Sequence, residues 1–245
     1  VHIAPALAKR YEIMPLTASI YLDYYKDGVA ARPEFRYDEV RFNPLVGAAP
    51  QEAPSGRRLI RSTAEENAIY ALFDAYDFFP EDGRFVQSDE EKSFLFLDEA
   101  LPELSKIADV YYADAFHEKP VRRMPPVTIG VSVNDENLLD VTFDAAQLDF
   151  TELIGVLRAY REKRIYHRLK DGSFVTLGDQ QLAGLADFIE SIGVKKATDA
   201  KNIELPLRQA LYLDALAKEE KGIRLERSKR FKSIVRDVKN PVDAD

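Results

Sequence analysis

Two clusters of basic side chains stand out in a chain that is otherwise acidic. Arg and Lys at such density can contact the phosphates of a nucleic acid, and aromatic rings among them can stack on its bases. Tyr160, Tyr166 and Phe174 accompany the first cluster, and Phe231 lies in the second. The residues that we predict to make partner contacts are Arg158, Arg161, Lys163, Arg164, Arg168, Lys170, Arg227, Lys229, Arg230 and Lys232.

A plainer interpretation of these clusters stays open. Basic residues at the C-terminus of a helix complement the helix dipole, and elsewhere they simply solvate a face. The formal net charge of −8 and the isoelectric point near 5.1 are unfavourable for general phosphate binding. Residues 1–125 carry 15 basic and 22 acidic side chains, whereas residues 126–245 carry 19 and 20. Any nucleic-acid contact is therefore expected in the second half.

Catalytic motifs are missing from the sequence. Phe94–Glu99 has four apolar residues before two acids, like the metal-holding strand of a P-loop ATPase, but the GxxxxGK[S/T] loop that would hold the phosphates is absent. A GxSxG nucleophile elbow is absent as well. We therefore interpret Phe94–Glu99 as a helix with a buried face and expect no catalytic residue. A composite carboxylate site stays open, because the separation of two acids in space is not visible in a sequence.

Metal ligands and targeting signals are also scarce. His2, His117 and His167 are far apart and share no helical i,i+4 spacing. The chain has no cysteine, which removes disulfides and suits a reducing cytosol. No apolar run reaches the roughly 18 residues that cross a bilayer, and no signal peptide is visible. We expect a cytoplasmic protein without a membrane partner, and the missing initiator methionine suggests a fragment of a longer one.

The predicted elements of the first half alternate between hairpins and helices. Residues 19–25 and 29–37 are β-prone and flank an Asp-Gly pair at 27–28, which is a strong two-residue turn signal. Pro33 in the second of these strands indicates an edge position. Helices and short strands follow in residues 57–112.

A polar, proline-rich connection at residues 117–126 is the predicted boundary between the halves. A strand pair follows, and Asp149 is then expected to cap a helix with Glu152 as its reciprocal partner. A hairpin and further helices come next. The last stretch, residues 218–239, is strongly basic and helical in character.

These elements predict an α+β fold of two mixed subdomains, in which antiparallel hairpins pack with amphipathic helices. The N-terminal subdomain is expected to cover residues 1–120. The C-terminal subdomain is expected to cover residues 121–245 and to end in a basic helical linker. With 46% hydrophobic residues the chain can bury a real core.

The order of features along the chain resembles a known family. In the second half, the segments that carry the resemblance are Glu152–Tyr160, Tyr166–Phe174, Ala210–Asp214 and Arg230–Val235. Tyr21–Asp23, Phe35–Asp38 and Phe42–Pro44 agree in the first half. Together they resemble the associated region that precedes the ATPase core in bacterial SWI/SNF-type helicases, over nearly the whole chain.

The resemblance implies an accessory region that carries no catalytic residue. It implies that the C-terminal linker leads toward an ATPase core that is missing here, and that ATP and magnesium bind only in that core. No cofactor is expected in this fragment. The expected partners are the ATPase lobes of the same parent chain and double-stranded DNA, in the bacterial cytoplasm or at the nucleoid.

The expected function is to position or modulate the ATPase lobes and DNA, as a regulatory region of an ATP-dependent remodelling protein. In an autoinhibitory version, the acidic first half competes with DNA for a basic ATPase cleft. Two alternatives stay open. One is an autonomous DNA-binding module that uses the basic C-terminal half, and the other is an orphan hydrolase with a composite carboxylate site.

Overall fold

The computed structural model describes residues 11–52, 56, 58–114, 116, 120–146, 148–178, 180–193, 202–219 and 224–239. The chain divides into two compact units, Val1–Val121 and Arg122–Asp245. Helices and mixed sheets occur in both units, which confirms the predicted α+β class. His2, His117 and residues 117–119 of the predicted boundary lie outside the described residues.

The first unit is built on a six-stranded sheet. Its elements in chain order are β1 (Tyr11–Ile13), β2 (Thr17–Tyr25), β3 (Gly28–Tyr37), β4 (Val40–Phe42), β5 (Arg58–Ile60), α1 (Thr63–Asp74), β6 (Phe79–Glu81), β7 (Arg84–Gln87), α2 (Glu90–Leu95), a π-helical segment (Phe96–Ala100), α3 (Leu101–Ile107) and β8 (Asp109–Tyr112). The sheet order is β6-β7-β3-β2-β8, with β4 paired to β3. β2 and β3 form the predicted hairpin, and β8 joins β2 in parallel. β1 and β5 form a separate parallel pair.

The hairpin turn lies one residue earlier than predicted. Tyr25 pairs with Gly28, so Lys26 and Asp27 form the turn, and Lys26 has a φ of 53°. Gly28 already belongs to β3, where a Cβ would lie 2.0 Å from the carbonyl oxygen of Gln87. The glycine is therefore required for the close approach of two backbones and not for the turn itself.

Pro33 does not lie in an edge strand, so the edge prediction is wrong. β3 lies between β2 and β7, and Pro33 pairs with Ile20 of β2. On the other side of β3, β7 pairs with residues 29–31 and β4 pairs with residues 35–37. Proline has no N–H for a ladder. The gap between these two partners accommodates it within a central strand.

Alternating burial places one face of β2 in the core of the first unit. Ala18, Ile20 and Leu22 are at most 3% exposed. Helix α1 covers this sheet with an apolar stripe that includes Phe73, whose ring stacks on Phe85 at a centroid distance of 4.4 Å. Stacked aromatic rings of this kind add to the stability that burial alone provides.

The second unit combines two smaller sheets with four α-helices in the described residues. Its elements are β9 (Val121–Arg123), β10 (Thr128–Val133), β11 (Leu138–Asp144), α4 (Phe150–Arg161), β12 (Tyr166–Arg168), β13 (Phe174–Thr176), α5 (Gln180–Ser191), β14 (Asn202–Pro206), a 3-10 helix (Leu207–Gln209), α6 (Ala210–Glu219), β15 (Arg224–Arg227) and α7 (Lys229–Lys239). One sheet has the order β14-β11-β10-β15, and the other has the order β12-β13-β9. The predicted strand pair is the β10–β11 hairpin.

The predicted helical tail is interrupted by a strand. Residues 224–227 form β15, which pairs in parallel with β10, so that Thr128 lies opposite Arg224. Residues 220–223 of the same stretch lie outside the described residues. The helical prediction holds for α7 and is wrong for β15. Backbone pairing with a strand nearly a hundred residues away outweighs the local helix propensity of a Leu-, Glu- and Arg-rich segment.

Helix α4 begins where the sequence predicted. Asp149 caps it, since its Oδ1 accepts a hydrogen bond of 2.7 Å from the backbone N–H of Glu152. The reciprocal bond differs from the prediction, because Glu152 Oε1 accepts the backbone N–H of Lys170 at 3.0 Å. The acid at the third helical position therefore fastens the β12–β13 hairpin to the start of α4.

Candidate partner-binding surface

The first basic cluster lies at the C-terminal end of α4 and just beyond it. Arg161 Nη2 donates a hydrogen bond of 2.7 Å to the carbonyl oxygen of Ala186 and lies 2.9 Å from Glu190 Oε2. These two contacts join α4 to α5. Arg164 Nε lies 2.9 Å from Glu162 Oε2. Both arginines are thus partly neutralised by acids of the same unit, and their contact with a partner stays a prediction.

The β12–β13 hairpin holds the last residues of the first cluster. Lys170 Nζ lies 2.6 Å from Asp149 Oδ2. This hydrogen bond, together with the one from the backbone of Glu152, lowers the pKa of the Asp149 carboxyl below its usual value. Arg168 is half-buried, and its guanidinium lies 5.6 Å from the centre of the Phe174 ring.

Two of the aromatic residues that accompany the clusters belong to the core. Phe174 is 2% exposed and Phe231 is 0% exposed. Tyr166 packs edge-on against Phe174 at a centroid distance of 5.4 Å. A base could not stack on Phe174 or Phe231 unless the ring left the core, so neither provides a stacking surface.

The second basic cluster contributes to an ionic triad around a buried carboxylate. Asp214 of α6 is 1% exposed. Its Oδ1 lies 2.6 Å from Arg227 Nη1, and its Oδ2 lies 2.6 Å from Lys239 Nζ. A buried carboxylate requires such partners, because an uncompensated charge in the interior is very unfavourable. Arg227 therefore has a structural role that joins β15 to α6.

Arg230 is engaged at the tip of the β10–β11 hairpin. Its Nη1 donates to the carbonyl oxygen of Asn134 at 3.1 Å, and its Nη2 donates to Asn137 Oδ1 at 2.8 Å. Asn137 sits at a φ of 59° in this turn. The contact anchors the first turn of α7 to the hairpin, and it leaves about half of the Arg230 side chain exposed.

Four predicted contact residues are free of internal polar partners among the described residues. Arg158, Lys163, Lys229 and Lys232 are exposed, and their side chains make no hydrogen bond or ion pair in the part of the chain that the structure describes. Arg158 lies in the last turn of α4 and Lys163 lies two residues beyond its end, whereas Lys229 and Lys232 lie in the first turn of α7. These four cations are available to a partner without breaking an internal contact.

An apolar groove that the sequence reasoning missed lies between α6 and α7. It has a volume of about 230 Å³ and is lined by Leu207, Arg208, Ala210, Leu211, Ile234, Val235 and Val238. The signal was present in the sequence, since Phe231, Ile234, Val235 and Val238 follow the i, i+3, i+4, i+7 spacing of a helical stripe.

Among the described residues of the first unit, the most buried acid is Glu66, which is 2% exposed. Its Oε1 accepts hydrogen bonds from Tyr37 Oη at 2.6 Å and from Arg61 Nε at 2.9 Å, and Arg61 also forms an ion pair with Oε2. Burial, followed by the bond to Glu66, raises the pKa of Tyr37 well above its usual value. Both carboxylate oxygens are thus engaged in a structural network, which gives no support to a hydrolytic role.

Residues 94–99 are helical, as expected. Phe94 lies in α2 and Asp98 lies in the π-helical segment, so the two acids do not end a strand as they would in a P-loop ATPase. The described residues contain no group of three or more His, Asp or Glu side chains that could hold a metal ion. Within the same residues, no helix is long and apolar enough to cross a membrane. His167 lies in β12 opposite Val175.

Comparison with known proteins identifies a family. A family model described as bacterial SNF2 helicase associated matches residues 1–245, which is the whole chain. Searches of curated proteins and of solved structures gave no significant match. The matched family is the one that the order of sequence features resembled. The chain therefore belongs to the bacterial SNF2 helicase-associated family.

Proposed function

We propose that this chain is a non-catalytic accessory region that positions or modulates the ATPase lobes of a bacterial SWI/SNF-type helicase relative to DNA. Membership of the helicase-associated family supports a role beside such lobes. The observation that carries the choice of role is the internal pairing of basic side chains. Arg161, Arg164, Lys170, Arg227 and Arg230 each contact an acceptor in the second unit.

This pairing favours protein positioning over autonomous DNA binding. Affinity for duplex depends on the number of phosphates that a protein neutralises, and each contact contributes about 0.9 to the slope of log affinity against log salt. A cation that a carboxylate already compensates gains less from a phosphate contact than an uncompensated cation does. The free residues Arg158, Lys163, Lys229 and Lys232 would therefore supplement DNA contacts that the ATPase lobes make.

The proposal also covers cofactors and location. The accessory region has no nucleotide-binding motif, so ATP and magnesium are proposed to bind only in the ATPase lobes. Since such lobes act on DNA, we propose that the protein works in the bacterial cytoplasm, at the nucleoid.

The test is an ATPase assay on the parent protein with and without residues 1–245. Deletion is expected to change the ratio of DNA-stimulated to DNA-independent turnover, because the region is proposed to bias how the lobes engage DNA. In the autoinhibitory version, deletion raises the DNA-independent rate. If both rates stay the same after deletion, the region does not modulate the ATPase and the proposal fails.

The second candidate function is an autonomous DNA-binding module, which the free cations favour. Under this alternative the isolated chain shifts a labelled duplex, and charge reversal of the free cations abolishes the shift. A chain that binds duplex in the nanomolar range at physiological salt would replace the positioning role by this one, since specific binding is that tight.

A further inference from the structure

The groove between α6 and α7 has two walls of helical character. Leu207, Ala210 and Leu211 follow the i, i+3, i+4 spacing on one wall, and Ile234, Val235 and Val238 line the other. The triad centred on Asp214 ties α6 to the last residue of α7. The triad therefore links the two walls of the groove.

Exposed apolar side chains lie on both walls of this groove. Two of the four large hydrophobic residues that are exposed in the described part of the second unit line it, namely Leu211 at 37% and Val238 at 56%. A soluble protein usually scatters such residues, and a cluster of them marks a binding surface. Removing these side chains from water would favour association with an apolar partner.

The size of the groove indicates what kind of partner it can bind. Its volume of about 230 Å³ lies below the range of roughly 300–1,000 Å³ that is usual for small-molecule sites. An apolar cavity of about 150 Å³ accommodates a ring of benzene size. The groove therefore fits one or two large side chains, as the anchors of an amphipathic helix do in a groove between helices.

The charge at the groove indicates which charge a partner should carry. Arg208 is the one charged residue in its lining, and it is exposed with no hydrogen bond or ion pair from its side chain in the described residues. A partner with an acidic side chain beside its apolar anchors would complement this charge.

We propose that the groove binds an amphipathic helix of the ATPase lobes, with apolar anchors between Leu211 and Val238 and an acidic side chain paired with Arg208. This inference rests on the proposed function and names the surface through which it acts. A second copy of the chain is a poorer occupant, because a two-fold contact sets the same patch against itself. Such a contact would bring Arg208 toward its own copy.

The test measures the affinity of the chain for the separately purified ATPase lobes of its parent protein. Leu211→Lys and Val238→Lys each place a charge on an apolar wall of the groove. Ile165→Lys is the matched control, since Ile165 is 54% exposed and is not part of the groove lining. The first two variants are expected to raise Kd at least tenfold, whereas the control changes it less than twofold. Arg208→Glu is expected to raise Kd about fivefold without disturbing the apolar walls.

Circular dichroism and urea unfolding of each variant separate lost binding from lost folding. If Leu211→Lys unfolds the second unit, the affinity of Arg208→Glu still tests the proposal, because the exposed Arg208 side chain has no hydrogen bond or ion pair to lose among the described residues. If the groove variants bind the ATPase lobes as tightly as Ile165→Lys does, the groove is not the binding site. The proposed positioning role would be unaffected by that result. Wild-type chain that binds no lobes, combined with an unchanged ATPase on deletion, would remove both proposals. If the isolated chain is a dimer and Leu211→Lys converts it to a monomer, the groove binds a second copy of the chain. The proposal that it binds a helix of the ATPase lobes would then be wrong.

Discussion

Lys239 Nζ lies 2.6 Å from Asp214 Oδ2, so the last residue of α7 is bonded to the middle of α6 across 25 positions of sequence. Arg227 Nη1 lies 2.6 Å from the other oxygen of the same carboxylate. One buried acid thus fixes β15, α6 and α7 relative to each other. This contact links the two helices that form the walls of the groove.

Removal of this carboxylate is expected to destabilise the second unit. Asp214→Ala leaves Arg227 and Lys239 without their shared partner, and breaking a buried ion pair typically costs 3–5 kcal/mol. Both cations reach solvent, so we expect a loss near the low end, about 3 kcal/mol in the free energy of unfolding by urea. Hydrogen exchange of α7 should accelerate in the folded state.

Asp237→Ala is the matched control, since its pair with Arg236 is exposed, and it should change stability by less than about 0.5 kcal/mol. Equal losses for both variants would contradict the structural role of Asp214.

The Tyr37–Glu66 bond provides a second test, in the first unit. Tyr37→Phe removes a hydrogen bond of 2.6 Å to Glu66 and the acceptor for the backbone N–H of Ser62 at 3.0 Å. A loss of about 1–3 kcal/mol in the free energy of unfolding is expected, because buried polar groups lose their partners. Tyr76→Phe, which loses only an exposed bond to Glu99, should cost less than half as much.

The same tyrosine predicts a pH dependence above neutrality. Burial raises the pKa of Tyr37 above its ordinary value of 10.0 in the folded protein. Because the folded pKa is the higher one, this contribution to stability is fully present below pH 10 and is lost as pH rises toward the folded value. Unfolding free energies between pH 9 and pH 11 should therefore fall more steeply for the wild type than for Tyr37→Phe. Parallel pH profiles would show that Tyr37 does not cause the loss.

The pair of Asp149 and Lys170 predicts the opposite dependence at acid pH. The hydrogen bond from Lys170 lowers the pKa of Asp149 below its ordinary value of 3.8. Because the folded pKa is the lower one, this contribution is present above the unfolded value and is lost as pH falls through the folded value. Lys170→Ala should raise the pKa of Asp149, measured by carboxyl NMR, and reduce the slope of stability against pH below pH 4. Lys163→Ala, which removes a free cation, should leave that pKa unchanged.

The free and paired cations should differ in their effect on duplex binding. If the isolated chain binds duplex weakly through Arg158, Lys163, Lys229 and Lys232, log Kd should change with log salt with a slope of about 3.6 at most. Lys229→Gln with Lys232→Gln should lower the slope by roughly 2, since two phosphate contacts are lost. Arg161→Gln with Arg164→Gln is the matched pair and should change it by less than 1, because both residues have internal partners. Fluorescence anisotropy across a salt series gives the slopes. If substitution of the paired residues lowers the salt slope more than substitution of the free ones, the paired residues contact the phosphates.

The sequence by itself determined several local features of this protein. Asp149 was recognisable as a helix cap, because a side-chain acceptor before an apolar stripe satisfies backbone donors within one turn. The absence of a phosphate-binding loop was equally visible, since such a motif is contiguous. The α+β class and the family followed from the order of these local signals.

Tertiary structure alone decided the features that depend on distant partners. Residues 224–227 became a strand only because β10 offered a free edge, and Pro33 fits a central strand only because β7 and β4 stop on either side of it. The basic residues were visible as charges, but Asp214 and Glu190 determine which of them are already neutralised. Local propensity acts over a few residues, whereas strand pairing and ion pairing act between side chains that the chain brings together only when it folds.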